Sequence, residues 1–176
     1  MVYKIPAIIT QEEFEKIFEA ETNKEYKLAF LLGFESGMRI SEIVGLKNKD
    51  GNWKINPLDK PQIDLQGNTI KVVGGKGKKD RIVPLPKRFN KNALSLLPLK
   101  KSRRALEWKI KKLGLKVLNK PIHFHTLRHG FGSHLAGANR PLHEIQMLMG
   151  HSRLDTTGIY LHANPKQAIE GSREAF

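Results

Sequence analysis

The N-terminal part of the chain has the apolar spacing of amphipathic helices. Thr10 and Glu13 form a helix-capping pattern. Apolar residues then recur at helical intervals: Phe14, Ile17 and Phe18. A second helix is predicted over residues 24–36, ended by Gly37, because glycine tolerates the left-handed conformation that closes many helices. A short third helix is expected from the apolar residues that follow: Ile40, Ile43, Val44 and Leu46.

The middle of the chain has a different pattern. Residues 48–61 contain turn-forming residues with little periodicity and are predicted to form a loop. Three short β-branched segments follow, at residues 63–65, 69–73 and 81–85. Glycine-containing turns separate them, so we predict a three-stranded antiparallel sheet.

Helical patterns return in the C-terminal half. The predicted helices cover residues 101–113 (closed by Gly114), 125–138, 141–149 and 155–162, with a last short helix in the tail at 165–176. The expected fold class is therefore α+β, mainly α, with one domain over residues 1–176 and a small three-stranded antiparallel sheet.

Composition indicates what the chain binds. The 31 lysines and arginines exceed the 17 aspartates and glutamates, for a net charge of +14. Such an excess favours a polyanionic partner, since phosphate neutralisation dominates affinity for nucleic acid. Cysteine is absent, which fits a cytoplasmic protein, and no apolar run approaches the roughly 20 residues of a spanning helix, so we expect no membrane partner. The alternative explanations of the positive charge are solubility alone or binding to an anionic membrane surface.

Two arginines lie in contexts that suit phosphate binding. Arg39 stands between two predicted helices, where a guanidinium can hold a phosphate with paired hydrogen bonds, and Glu42 could orient it. The alternative is a surface ion pair of Arg39 with Glu42. His125 and Arg128 share a helix face, which suits proton transfer beside charge stabilisation, although this spacing alone is unspecific.

A glycine- and lysine-rich turn over residues 74–79 contains Lys76. It lacks the ending of a nucleotide-binding P-loop and lies between strands, so a hairpin tip that contacts DNA explains it better than a triphosphate site. A solvated turn is the alternative.

Tyr160, with His151 nine residues before it, is the candidate nucleophile. A phenol has an ordinary pKa of about 10 and needs nearby cations or a base. A packed aromatic residue is the alternative here.

No cofactor is expected. Three histidines lie close together in sequence: His123, His125 and His129. They lack the carboxylate of the metalloprotease pattern, and the chain has no cysteine to complete a zinc site.

Four segments, taken in order, resemble the motifs of the tyrosine site-specific recombinases, the phage-integrase and Xer-like family. They are residues 37–46, 75–85, 125–129 and 148–160, and the resemblance extends over about residues 10–163. It implies the catalytic-domain fold of that family and a double-stranded DNA partner.

The resemblance also implies roles. Tyr160 would attack the scissile phosphate and form a 3′-phosphotyrosyl ester. Arg39 and Arg128 would hold the non-bridging oxygens, and Lys76 would protonate the departing 5′ oxygen. No ATP is implied, because the ester conserves the energy needed for rejoining.

Further residues would support this set. His125 would assist proton movement, His151 would hydrogen-bond the phosphate, and Glu42 would support the cluster. The hairpin would add DNA contacts: Lys78, Lys79 and Arg81. Gly130 departs from the small hydroxyl residue common at its position in the family.

The family usually carries an N-terminal domain that clamps DNA, and the sequence is expected to lack it. Residues 164–176 would dock on a neighbouring protomer, giving a homotetramer on DNA; the alternative is that they fold back on their own domain. Three other readings stay open: relaxation of DNA as by type IB topoisomerases, a non-catalytic DNA-binding module, and a basic protein that binds RNA or ribosomes.

Overall fold

The computed structural model describes residues 8–74 and 80–150. Within these ranges the chain forms seven helices: α1 (Gln11–Ala20), α2 (Lys24–Glu35), α3 (Ile40–Ile43), α4 (Lys91–Ser95), α5 (Arg103–Leu118), α6 (Phe124–Gly137) and α7 (Leu142–Met149). It also forms five short strands: β1 (Leu46–Lys47), β2 (Trp53–Ile55), β3 (Ile63–Asp64), β4 (Thr69–Val72) and β5 (Arg81–Pro84). The predicted class, mainly helical α+β, is confirmed.

The predicted capping box begins α1. Thr10 Oγ1 accepts a hydrogen bond from the backbone N of Glu13 at 3.2 Å, and Glu13 Oε2 accepts from the backbone N of Thr10 at 3.0 Å. The helix buries Phe14, whose ring stacks on Phe34 of α2 with centroids 4.1 Å apart. This stacking joins the first two helices in the hydrophobic core.

Helix α2 lies at the centre of the domain. All its residues from Leu28 to Phe34 are buried, and it packs against α6. A Cβ on Gly33 would come within 3.0 Å of the Phe124 ring, so a glycine here lets the two helices approach closely. Gly37 has a φ of +62° and redirects the chain into α3, as predicted from its position.

The three-stranded sheet forms as expected, in the order β3-β4-β5, with antiparallel neighbours. Ile70 lies opposite Val83, and both are buried. Val72, also buried, lies opposite Arg81, the first residue of β5. Because residues opposite each other on paired strands share a face of the sheet, Arg81 lies on the same buried face as Val72.

The segment predicted as a loop, residues 48–61, contains more structure than expected. Strand β2 lies within it and pairs with β1, where Leu46 faces Ile55. The prediction that Leu46 is helical was wrong, because this residue begins strand β1. These strands are two and three residues long, and Trp53 is exposed, so they leave no apolar alternation to detect. A single turn of 3-10 helix at Lys60–Gln62 follows.

The predicted end of α5 at Gly114 was also wrong. The helix continues to Leu118, and Asn119 ends it with a φ of 53°. A Cβ on Gly114 would come within 2.5 Å of Ile122, so this glycine permits close packing instead of ending the helix. The short helix α4 was not predicted. The helices predicted over 155–162 and 165–176 lie outside the described residues.

Candidate active site

Arg39 is the N-cap residue of α3, directly after the turn that ends α2. Its Nη1 donates to Glu42 Oε1 at 2.9 Å, and its backbone N donates to Glu42 Oε2 at 2.8 Å. Its Nη2 donates to the carbonyl oxygen of Gly150 at 3.0 Å. The pair with Glu42 that the sequence suggested is thus present, and it also reaches the end of α7.

Arg128 extends from α6 into the interior and is 1% exposed. Its Nη1 donates to the carbonyl oxygen of Gly37, and its Nη2 donates to that of Met149. The residue therefore connects the ends of α2 and α7. These two hydrogen bonds hold the buried guanidinium between the two helix ends.

Three successive carbonyls at the end of α7 each accept a hydrogen bond from a different arginine. Arg81 Nε donates to Leu148 O at 2.8 Å, Arg128 to Met149 O, and Arg39 to Gly150 O. The last carbonyls of a helix have no partner within it and carry partial negative charge, so cations stabilise this end. The three guanidiniums thereby converge where the chain leads on to residue 151.

Glu42 lies between two of these arginines, with its side chain 1% exposed. Arg81 binds it in a fork, Nη1 to Oε1 and Nη2 to Oε2, both at 2.8 Å. Burial alone would raise the pKa of this carboxyl, but the hydrogen bonds and charge of Arg81, then those of Arg39, lower its pKa to about 2. Glu42 is therefore ionised at neutral pH.

The setting of Arg81 differs from the one predicted. Its side chain is only 7% exposed, and its guanidinium is engaged by Glu42 and Leu148. That Arg81 contacts DNA stays a prediction, and in this structure its N–H groups are engaged by Glu42 and Leu148 instead. The physical reason is the buried charge of Glu42, which needs more compensation than Arg39 provides. Sequence spacing gave no sign of it, since Glu42 and Arg81 are 39 positions apart.

His125 lies in the first turn of α6, partly exposed beside the arginines. Partial burial of the ring, then the charges of Arg128 and Arg39, lower the pKa of His125, while Glu107 opposes them. The neutral imidazole, which can accept a proton, is therefore favoured at neutral pH.

A cleft with a volume of about 250 Å³ brings these groups together. Its polar lining consists of Arg39, Ser41, Arg103, Glu107, His125 and Arg128. Sequence reasoning missed the two residues from α5, Arg103 and Glu107, because they belong to no motif. Glu107 Oε2 accepts a hydrogen bond from the backbone N of Phe124 at 3.1 Å, which fixes the start of the helix that carries His125 and Arg128.

The structure thus brings together five of the predicted residues: Arg39, Glu42, Arg81, His125 and Arg128. The other predicted site residues, Lys76, Lys78, Lys79, His151 and Tyr160, lie outside the described residues, and their roles stay predictions. In residues 8–74 and 80–150, no group of three or more acidic or histidine side chains is placed to hold a metal ion. The same residues include no helix with the length and apolar character needed to cross a membrane.

Comparison with known proteins gives consistent matches. Residues 7–167 match the sequence model of the phage integrase family. Tyrosine recombinase XerA of Thermococcus kodakarensis is 31% identical over 191 residues, which cover 97% of this chain and 62% of XerA. The chain therefore spans less than two thirds of that relative's length.

Two solved structures share the fold. The crystal structure of a XerA recombinase superposes with a TM-score of 0.70 at 24% identity, covering 98% of this chain and 66% of the other. The structure of XerH site-specific recombinase bound to its difH substrate, before cleavage, also gives 0.70 at 23% identity, covering 98% and 55%.

Proposed function

The chain belongs to the phage integrase family, and on that basis we propose that it is a site-specific recombinase that cleaves and rejoins double-stranded DNA through a 3′-phosphotyrosyl intermediate. One observation carries the proposal. Arg39 and Arg128, from separate elements, bind adjacent carbonyls at the end of α7 and line one cleft with His125. This group of two guanidiniums and one imidazole is suited to binding a phosphodiester.

In the proposed cleavage step, the phenol oxygen of Tyr160 forms a bond to the scissile phosphorus as the bond from phosphorus to the 5′ oxygen breaks. The phenolic proton passes to His125, and Lys76 supplies the proton that the departing 5′ oxygen takes up. The favoured neutral state of His125 supports its part as proton acceptor. Attack by a 5′ hydroxyl on the ester reverses the step and rejoins the strand, without ATP or a metal.

The two arginines would stabilise the charge that builds up on the non-bridging oxygens. Arg39 is 19% exposed and can present N–H groups to a phosphate, while Arg128, which also lines the cleft, is buried and bonded to the carbonyl oxygens of Gly37 and Met149. Donors that are fixed in advance need little reorganisation when charge develops. His151, which follows Gly150 in the sequence, would add a hydrogen bond to the phosphate.

The net charge of +14 supports DNA as the partner, and Lys78 and Lys79 would bind its backbone. Membership of the recombinase family supports assembly of a tetramer on two duplexes, with residues 164–176 docked on the next protomer. We place this reaction in the cytoplasm, as the lack of cysteine first suggested.

Covalent capture from a sequence library tests the proposal. The chain is incubated with short duplexes that carry a randomised region and a nick downstream of it, so that the cleaved fragment is lost and the adduct accumulates. Protein-linked strands are then isolated under denaturing conditions and sequenced. We expect linkage at the 3′ phosphate and enrichment of one sequence.

The rival functions give different results in this assay. Adducts without sequence preference, together with relaxation of supercoiled DNA, would favour a type IB topoisomerase activity. Retention of DNA without any adduct would favour a binding module. Either result would contradict the proposal.

A further inference from the structure

Arg81 makes three directed contacts to two distant parts of the chain. Its Nη1 and Nη2 bind both oxygens of Glu42 at 2.8 Å, and its Nε binds the carbonyl oxygen of Leu148 at 2.8 Å. Glu42 in turn binds Arg39. One planar guanidinium therefore connects the residue that holds Arg39 with the last turn of α7.

The position of Arg81 in the sheet adds a third element to this connection. It is the first residue of β5 and pairs with Val72 at the end of β4. Lys76, which the proposed function assigns as the acid, lies in the sequence between these two strands. Through Arg81 the base of this hairpin is fixed to the groups around the cleft.

Close packing leaves this connection little freedom. A Cβ on Gly150 would come within 3.0 Å of Cδ of Arg81, so the end of α7 approaches the arginine stem as closely as a glycine permits. The side chain of Arg81 is also almost wholly enclosed. A shift of one partner would therefore strain its contacts with the others.

We propose that Arg81 is a positioning residue for DNA cleavage, which holds the paired ends of β4 and β5, the Glu42–Arg39 pair and the end of α7 in one fixed arrangement. The inference rests on the proposed function. In this role Arg81 makes no contact with DNA. Its effect on cleavage depends on the geometry of the forked guanidinium as well as on its positive charge.

Lysine is the informative substitution. It retains a positive charge beside Glu42, but its single ammonium cannot bind two carboxylate oxygens and a carbonyl in one plane. Arg81→Lys should therefore fold while its three contacts loosen. A displacement of about 1 Å in a catalytic group can slow a reaction by as much as ~100-fold, so we expect cleavage at least ~10-fold slower.

The chain supplies a matched control in Arg88. This arginine also forks onto glutamates, binding Glu15 at 2.8 and 3.0 Å and Glu35 at 2.6 Å, and it lies outside the cleft. Arg88→Lys makes the same chemical change at another glutamate-bound arginine. Its cleavage rate should equal that of the wild type.

The experiment measures single-turnover adduct formation at saturating DNA on a duplex obtained by covalent capture. Affinity for the same duplex is measured over a series of salt concentrations. We expect Arg81→Lys to melt as a folded protein and to bind DNA with unchanged affinity and salt dependence. Its cleavage should be slow, while Arg88→Lys cleaves normally.

Each other outcome overturns the inference. Cleavage at the wild-type rate would show that the fork is dispensable. Weaker binding with a shallower salt dependence would show a phosphate contact, and an unfolded Arg81→Lys protein would show a residue needed for folding alone. The wild type is assayed first, and its failure to form an adduct would contradict the proposed function rather than the role of Arg81.

Discussion

His125 and His129 lie one turn apart on α6 with their rings edge to face and centroids 4.5 Å apart. Burial, then the charges of His125 and Arg128, lower the pKa of His129 to about 4. The folded protein therefore binds fewer protons than the unfolded chain between pH 6.5, the ordinary pKa, and about 4. Stability should consequently fall as the pH falls through this window.

His129→Leu should remove part of this pH dependence. Leucine cannot take up a proton, so protonation at this position no longer stabilises the unfolded chain of the variant at low pH. The measurement is the melting temperature at pH 7 and pH 5 (about one unit inside the window), with the exposed His134→Gln as control. An equal fall in melting temperature for wild type and His129→Leu would contradict the prediction.

Glu42→Gln should destabilise the domain. The substitution preserves shape but leaves two arginines beside a neutral group, and breaking a buried ion pair of this kind costs about 3–5 kcal/mol. Chemical denaturation at pH 7 measures the loss. Glu144→Gln, which breaks the exposed pair with Arg140, is the control and should change stability by less than about 1 kcal/mol.

The pH dependence of this loss has a definite sign. The pKa of Glu42 is about 2 in the folded protein against an ordinary 4.5, so its stabilisation is complete above pH 4.5 and disappears towards pH 2. The difference between wild type and Glu42→Gln should narrow on acidification through that range. A difference that stays constant would show that the carboxylate charge is not what stabilises the cluster.

Several residues of the described part of this site could be predicted from sequence, because the signals that place them are local. Gly37 and the capping pattern at Thr10 are local signals: the capping pattern placed the start of α1, and Gly37 placed the junction that carries Arg39. His125 and Arg128 share a helix, so their spacing in sequence sets their spacing in the fold. Local periodicity is sufficient in such cases.

What sequence did not reveal depends on contacts between distant segments. The fork of Arg81 on Glu42 joins positions 39 residues apart, and its bond to Leu148 joins positions 67 apart. The residue type of Gly114 predicts a helix end, whereas its close approach to Ile122 explains the glycine by packing. A glycine is compatible with a helix end and with a close contact, and tertiary packing determines which of the two occurs.

Gly130 illustrates the same point and yields a prediction. A Cβ at this position would come within 2.7 Å of the Phe34 ring and 2.8 Å of Ile9, so Gly130→Ala should overpack the core and cost about 1–3 kcal/mol. Gly137→Ala on the same helix meets nothing within 4 Å and serves as control. Chemical denaturation compares the two, and equal stabilities would contradict the close approach at Gly130.

Gly150→Ala should affect both stability and cleavage. Gly150 has a φ of +60°, where a Cβ costs about 1–2 kcal/mol, and the added atom would also press on Arg81. Gly51→Ala is the control, because Gly51 has a φ of +83° but no neighbour within 4 Å. Denaturation and single-turnover cleavage are measured for both.

The control separates backbone strain from the contact with Arg81. Both variants should lose stability, but only Gly150→Ala should cleave more slowly than the wild type. Normal cleavage by a folded Gly150→Ala protein would contradict a rigid contact between Arg81 and the end of α7.

Covalent attack by Tyr160 is the step on which the proposed function depends. Wild type and Tyr160→Phe are incubated with the captured duplex in the presence of EDTA, then separated by denaturing electrophoresis, with Tyr26→Phe of α2 as a matched control. Wild type and Tyr26→Phe should form the covalent adduct with chelator present, while Tyr160→Phe should bind the duplex normally and form none. An adduct that survives Tyr160→Phe, or one that the chelator abolishes in the wild type, would contradict the proposed metal-free attack by Tyr160.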